Sequence, residues 1–295
     1  MRIYAYTAQQ FGPRSLSNLT ELIHDQPIEQ RSYGGDAYLR LEDRRQDGDF
    51  LLLDFTKRRL GHGPGRYSRR QRLAPFDLGA EDGFGEDTAM VVHLPTNSLA
   101  VQYNHHGPKI NRIEQYLYAA DLGFGLGPRI EGVQDADRCG FRFGAVLTRD
   151  AIDRLRRFGL YRSVEFAISV PGVQPGDLES GRSLGAALSN PLPGGVENIR
   201  MRFSATTNKD SHLDSDATSN FINGLMRLGM GVTHAVVTGK TTAEDPTEEV
   251  DLVSDRVQHT ANLEVGTGGR YTDMDRWRAL CDAWTAWRDA GLLPI

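Results

Sequence analysis

Ala37-Tyr38-Leu39-Arg40-Leu41, then Arg44-Arg45-Gln46-Asp47-Gly48, then Phe50-Leu51-Leu52-Leu53-Asp54-Phe55-Thr56 follow in close succession. The outer two runs are apolar and of strand length, and the glycine-ended polar run between them reads as a turn, so the stretch predicts a β-hairpin. A second hairpin is predicted from Ala89 to Leu94 and Ser98 to Tyr103, around Pro95-Thr96-Asn97-Ser98. On the N-terminal side, Arg2 to Thr7 reads as a strand. Ser15 or Ser17 can cap a short helix with Leu16, Leu19, Leu22 and Ile23 on one face. Hairpins interspersed with amphipathic helices, without regular β-α alternation, predict an α+β fold with mixed or antiparallel sheets and flanking helices.

On the C-terminal side, a helix with Ile110, Ile113, Leu117 and Ala120 runs up to Gly123-Phe124-Gly125-Leu126-Gly127-Pro128. Its glycines mark 123–128 as a linker between an N-terminal domain, 1–122, and a C-terminal one, 129–295. The second half predicts a strand from Phe141 to Leu147, a helix capped by Thr148, and a strand from Val164 to Val170. Strand Asn198 to Thr206, a helix with Phe221, Ile222, Leu225 and Met226, and strand Val232 to Thr238 form a β-α-β unit. A terminal helix carries Trp277, Leu280, Cys281, Trp284 and Trp287. That stripe offers more apolar surface than one helix usually needs, so Trp277, Trp284 and Trp287 are expected at a homodimer interface.

Composition narrows the function classes. Of 295 residues, 39% are hydrophobic and 25% charged, a globular balance, and the net charge is −5. No run of eighteen apolar residues marks a membrane span, and MRIYAYT lacks the charged-then-apolar pattern of a signal peptide. Two distant cysteines, Cys139 and Cys281, fit a reducing cytoplasm; Cys139, beside a turn, is open to exposure.

Catalytic motifs fail on context. Gly181-Arg182-Ser183-Leu184-Gly185 spells a nucleophile elbow, but no apolar strand precedes it. Gly239-Lys240-Thr241 ends like a P-loop, whose leading glycine would fall on His234. A nuclease of the carboxylate-x-lysine type needs an acid two residues before a lysine. Those positions are Phe55, Gly107, Thr207 and Thr238. The adjacent His105-His106 lacks a partner at helical spacing, so no metal, cofactor or catalytic residue is expected.

The strongest local bias is Lys57, Arg58, Arg59, Arg66, Arg69, Arg70 and Arg72, followed by the acidic Asp77, Glu81, Asp82, Glu86 and Asp87. Two readings stand side by side: a solvated loop neutralised by the acidic one, or a surface that tracks DNA phosphates without reading bases. An alternative cationic surface is the helix with Arg149, Arg154, Arg156 and Arg157.

The order of elements resembles the RexA family, the cytoplasmic component of phage lambda's Rex exclusion system, and related prophage defence proteins. The resemblance rests on Tyr38-Leu39-Arg40-Leu41 with Phe50 to Lys57, on Gly85-Glu86-Asp87 through Val101, and on Gly107-Pro108 with the helix to Leu117. It continues in Val164-Glu165 with Val170-Pro171, in Asn198 to Thr238, and in Val250-Asp251-Leu252-Val253-Ser254-Asp255. It implies a homodimer that binds double-stranded DNA with little sequence preference, senses phage infection and signals to a RexB-like membrane partner. The rival readings are a nuclease or other enzyme of a prophage defence system, and a phage adaptor or structural protein with no nucleic-acid role.

Overall fold

The computed structural model describes residues 1–34, 39–59, 83–126, 138–169, 198–206, 208, 211–227, 232–266 and 270–293. Among these, two antiparallel sheets and five α-helices make an α+β fold, as the hairpin pattern predicts.

The larger sheet is built on the two predicted hairpins. β2 (Leu39–Asp47) pairs with β3 (Phe50–Arg59), β3 with β4 (Phe84–His93), and β4 with β5 (Ser98–Tyr103). β5 then pairs with β1 (Arg2–Gln10). The far edge of β1 is shared by β6 (Phe141–Ala145) and β11 (Gln258–Thr260). The polar run after Leu41 is strand, not turn: Arg44, Arg45 and Gln46 face Leu53, Leu52 and Leu51 across the ladder. The reversal falls on Gly48, whose φ of 56° suits glycine. Charged residues on the outermost described strand are solvated and keep it from pairing with other chains, which is why polarity misplaces the turn.

Alternation in β3 sorts the core into two layers. Leu51, Leu53 and Phe55 face α1 (Leu16–His24) and α2 (Ile110–Gly123). Ser15 caps α1 by accepting the Asn18 N–H. Leu52 faces α5 (Asp273–Asp289) on the other side. There Trp277, Leu280, Trp284 and Trp287 follow 3-4-3 spacing and form one stripe. The three tryptophans are 3%, 2% and 4% exposed, and the Trp284 indole N–H donates to Ser98 Oγ at 2.7 Å. The expectation that they form a dimer surface is therefore corrected. A wide sheet face open to α5 consumes the apolar surplus inside the chain.

The smaller sheet runs β10-β9-β7-β8, from Glu248–Asp251, Val232–Lys240, Leu160–Ser169 and Asn198–Ser204. β8 and β9 flank β7, each antiparallel to it, so they run parallel to one another and α4 (Ser215–Arg227) makes the crossover of the predicted β-α-β unit. α3 (Arg149–Arg157) leads from β6 into β7. Residues 123–128 do not separate the two sheets, because β6, β11 and α5 come from beyond them and complete the larger sheet layer. The chain crosses between sheets at Val146-Leu147 and again near Arg256-Val257, where Val257 N–H donates to the Val146 carbonyl. Cys139 is buried at 2% exposure rather than open at a turn. No helix among the described residues is long and apolar enough to cross a membrane.

Candidate nucleic-acid interface

Lys57, Arg58 and Arg59 close β3, opposite Glu86, Gly85 and Phe84 of β4. Strand alternation puts Lys57 on the α1/α2 side with Phe55, and Arg58 on the α5 side with Asp54. The first two cations of the predicted segment thus point to opposite faces and do not form one surface. Arg66, Arg69, Arg70 and Arg72 lie outside the described residues, as does Ser183.

Asp87, from the acidic run, is already engaged. It accepts from Arg270 at 2.6 Å and pairs with Arg276 at 3.1 Å. Arg276, 2% exposed near the start of α5, also reaches Asp54 at 3.0 Å, Asp273 and the Gln102 side-chain Oε1. Three carboxylates therefore share two guanidiniums in this cluster. Burial pushes the Asp54 carboxyl up to about 8, against the pull of Arg276, and the neighbouring Asp273 and Asp87 push the same way. Asp54 Oδ1 and Arg276 Nε have no hydrogen-bond partner among the described residues. Sequence reading missed this cluster, although an Asp inside the apolar run 50–55 and an Arg one residue before the tryptophan stripe were its signals. It faces the helix instead of solvent, and it fastens α5 to the sheet.

A second charged group sits on the smaller sheet. Glu165 in mid-β7 accepts from Arg200 and lies 3.9 Å from Arg202 and 3.5 Å from His234. The Arg200 hydrogen bond holds the Glu165 carboxyl below its usual range. A single carboxylate thus engages both arginines of this group.

α3 differs. Thr148 caps it by accepting the Ala151 N–H. Arg154 is tied to Asp150, to Asp255 at 2.8 Å and to the Glu249 carbonyl. Arg149, Arg156 and Arg157 are exposed and make no ion pair with the described residues. Arg149 and Arg156 lie seven residues apart, two turns, on the same face and on the order of 10 Å apart along the axis. They line a groove of about 410 Å³ between α3, the β1–β6 pairing at Thr7 and Ala145, and the segment 291–293 after α5. Its remaining wall is largely apolar: Val146, Leu147, Ile152, Leu292 and Leu293.

No group of three or more His, Cys, Asp or Glu side chains among the described residues could hold a metal ion. His105 and His106 stack edge to face with ring centroids 4.8 Å apart in an exposed turn. No protein-family model and no curated protein matches this chain.

Proposed function

We propose that this chain works by binding rather than by chemistry, and that it binds double-stranded DNA through its phosphates with little preference for sequence. The supporting observation is the set of exposed guanidiniums gathered on one short helix, Arg149, Arg156 and Arg157 of α3, which make no ion pair with the described residues. Arginine forks suit phosphate oxygens, and contacts to phosphate carry affinity without sequence information. The resemblance to the RexA family supplies the biological setting: a cytoplasmic sensor of phage infection that signals to a membrane partner. A homodimer belongs to the same proposal, using a face other than the buried tryptophans.

Fluorescence anisotropy with an unrelated set of duplexes tests the reading. Three phosphate contacts give a log–log salt slope of about −2.7 per protomer, since each contact releases roughly 0.9 counterion. Arg156→Glu with Arg157→Glu weakens binding on every duplex alike and flattens the slope by about 2. Unchanged affinity and slope in that double variant remove α3 from the interface, and metal-dependent degradation of the duplex favours the nuclease alternative.

A further inference from the structure

The groove beside α3 has a chemistry that phosphate tracking alone does not use. Arg149, Ile152, Asp153 and Arg156 recur at helical spacing, so they share one face, and all four line it. That face alternates cation, apolar, anion, cation. Leu292 and Leu293 stand across from it. Asp153 is exposed and makes no ion pair with the described residues, although Arg149 and Arg156 lie one turn to either side. A volume of about 410 Å³ falls within the range of sites for small ligands and is too narrow for a duplex.

We infer that this groove is a nucleotide site, in which Arg156 holds the phosphate, the aliphatic walls Ile152, Leu292 and Leu293 pack on one base, and Asp153 accepts from that base's edge. A surface that only binds phosphate has no use for a carboxylate among its guanidiniums, because like charge repels the ligand. A base with an exposed N–H group does: a carboxylate accepts from the exocyclic amine of cytosine or from guanine's N–H donors, and thymine presents no such amine. Apolar walls take up a base once it leaves the stack. The inference rests on the phosphate-binding reading of α3 and adds that one nucleotide is held outside the helix. Two sources offer the same chemistry, an unpaired nucleotide at a strand end and a free mononucleotide.

The test uses the full chain and compares a blunt duplex, the same duplex with one unpaired cytidine or thymidine at its end, and cytidine monophosphate alone. An unpaired cytidine should tighten binding roughly tenfold over the blunt end, the scale set by one sequestered base, and thymidine less. Ile152→Trp, which fills the groove, should bring the ratio of overhang to blunt affinity to about one, and Asp153→Ala should abolish the preference for cytidine over thymidine. Duplex binding with equal affinity for blunt and overhanging ends, and no mononucleotide binding, overturns the nucleotide site and leaves the DNA reading standing. Mononucleotide binding that Ile152→Trp abolishes, without duplex binding, supports the site with the free nucleotide as its source and overturns the DNA reading. Binding of none of the three overturns both.

Discussion

Replacing Asp54 by Asn should leave stability unchanged near pH 4 and raise it progressively as pH rises towards 8. Asp54 is 3% exposed, and its carboxyl is raised from the ordinary 3.8 to about 8, chiefly by burial. The folded state therefore keeps the proton up to about pH 8, while the unfolded chain releases it near pH 4. Because the folded state binds the proton more tightly, the stability it contributes is full below pH 4. It declines as pH rises and levels off above pH 8. Between pH 6 and pH 8 the loss is about 2 kcal/mol. Asn keeps the shape of the neutral acid and has no proton to lose, so Asp54→Asn should match the parent near pH 4. The variant should gain on the parent by about 2 kcal/mol between pH 6 and pH 8. Urea denaturation of both proteins across pH 5–9 measures the difference, in which the titration of all other groups cancels. A difference that stays constant over that range would show that Asp54 ionises in the folded protein, with Arg276 outweighing burial.

Trp284→Ala should cost about 3–5 kcal/mol, because it empties a buried site and removes the indole hydrogen bond to Ser98, and thermal unfolding reads the loss. Gly140→Ala should destabilise by about 1–3 kcal/mol, since φ is +78° and the added Cβ would stand 3.0 Å from the Tyr118 ring; a denaturant midpoint within error of the parent counts against it. Both thiols should react slowly with a disulfide reagent at neutral pH and promptly in denaturant: burial raises the Cys139 thiol, and burial with Asp282 and Asp47 raises Cys281 to about 11. Fast labelling of the native protein would show that one of them opens to solvent.

The fold was legible where local pattern and tertiary packing agree. The second hairpin, the Thr148 cap and the β-α-β unit each depend on neighbours in sequence and stand as read, and the first hairpin stands with its reversal moved to Gly48. Domain partition depends on distant pairing. Nothing in Gly123 to Pro128 shows that Phe141 to Ala145 will return to the edge of β1, or that Gln258 to Thr260 will extend the same edge. Glycines near a helix end mark a turn, and a turn is compatible with either a linker or a return to the same sheet. The tryptophan stripe misled for a related reason. A stripe shows that a helix must bury one face, and only the sheet opposite it determines whether that face is covered within the chain.

The candidate site was legible by residue type and obscure by direction. Lys57-Arg58-Arg59 looks like a single basic patch in one dimension, yet a strand turns each successive side chain to the other face. Arg149-Asp150-Ala151-Ile152-Asp153-Arg154-Leu155-Arg156-Arg157 mixes four arginines with two aspartates in the same dimension. Folding changes that balance, because Arg154 alone takes Asp150 and Asp255. The guanidiniums at 149, 156 and 157 make no ion pair with the described residues, and Asp153 is the one remaining carboxylate of the helix beside them. Net charge therefore has little bearing on phosphate binding here: a chain at −5 can still present a cationic surface wherever its carboxylates are spent on neighbouring arginines.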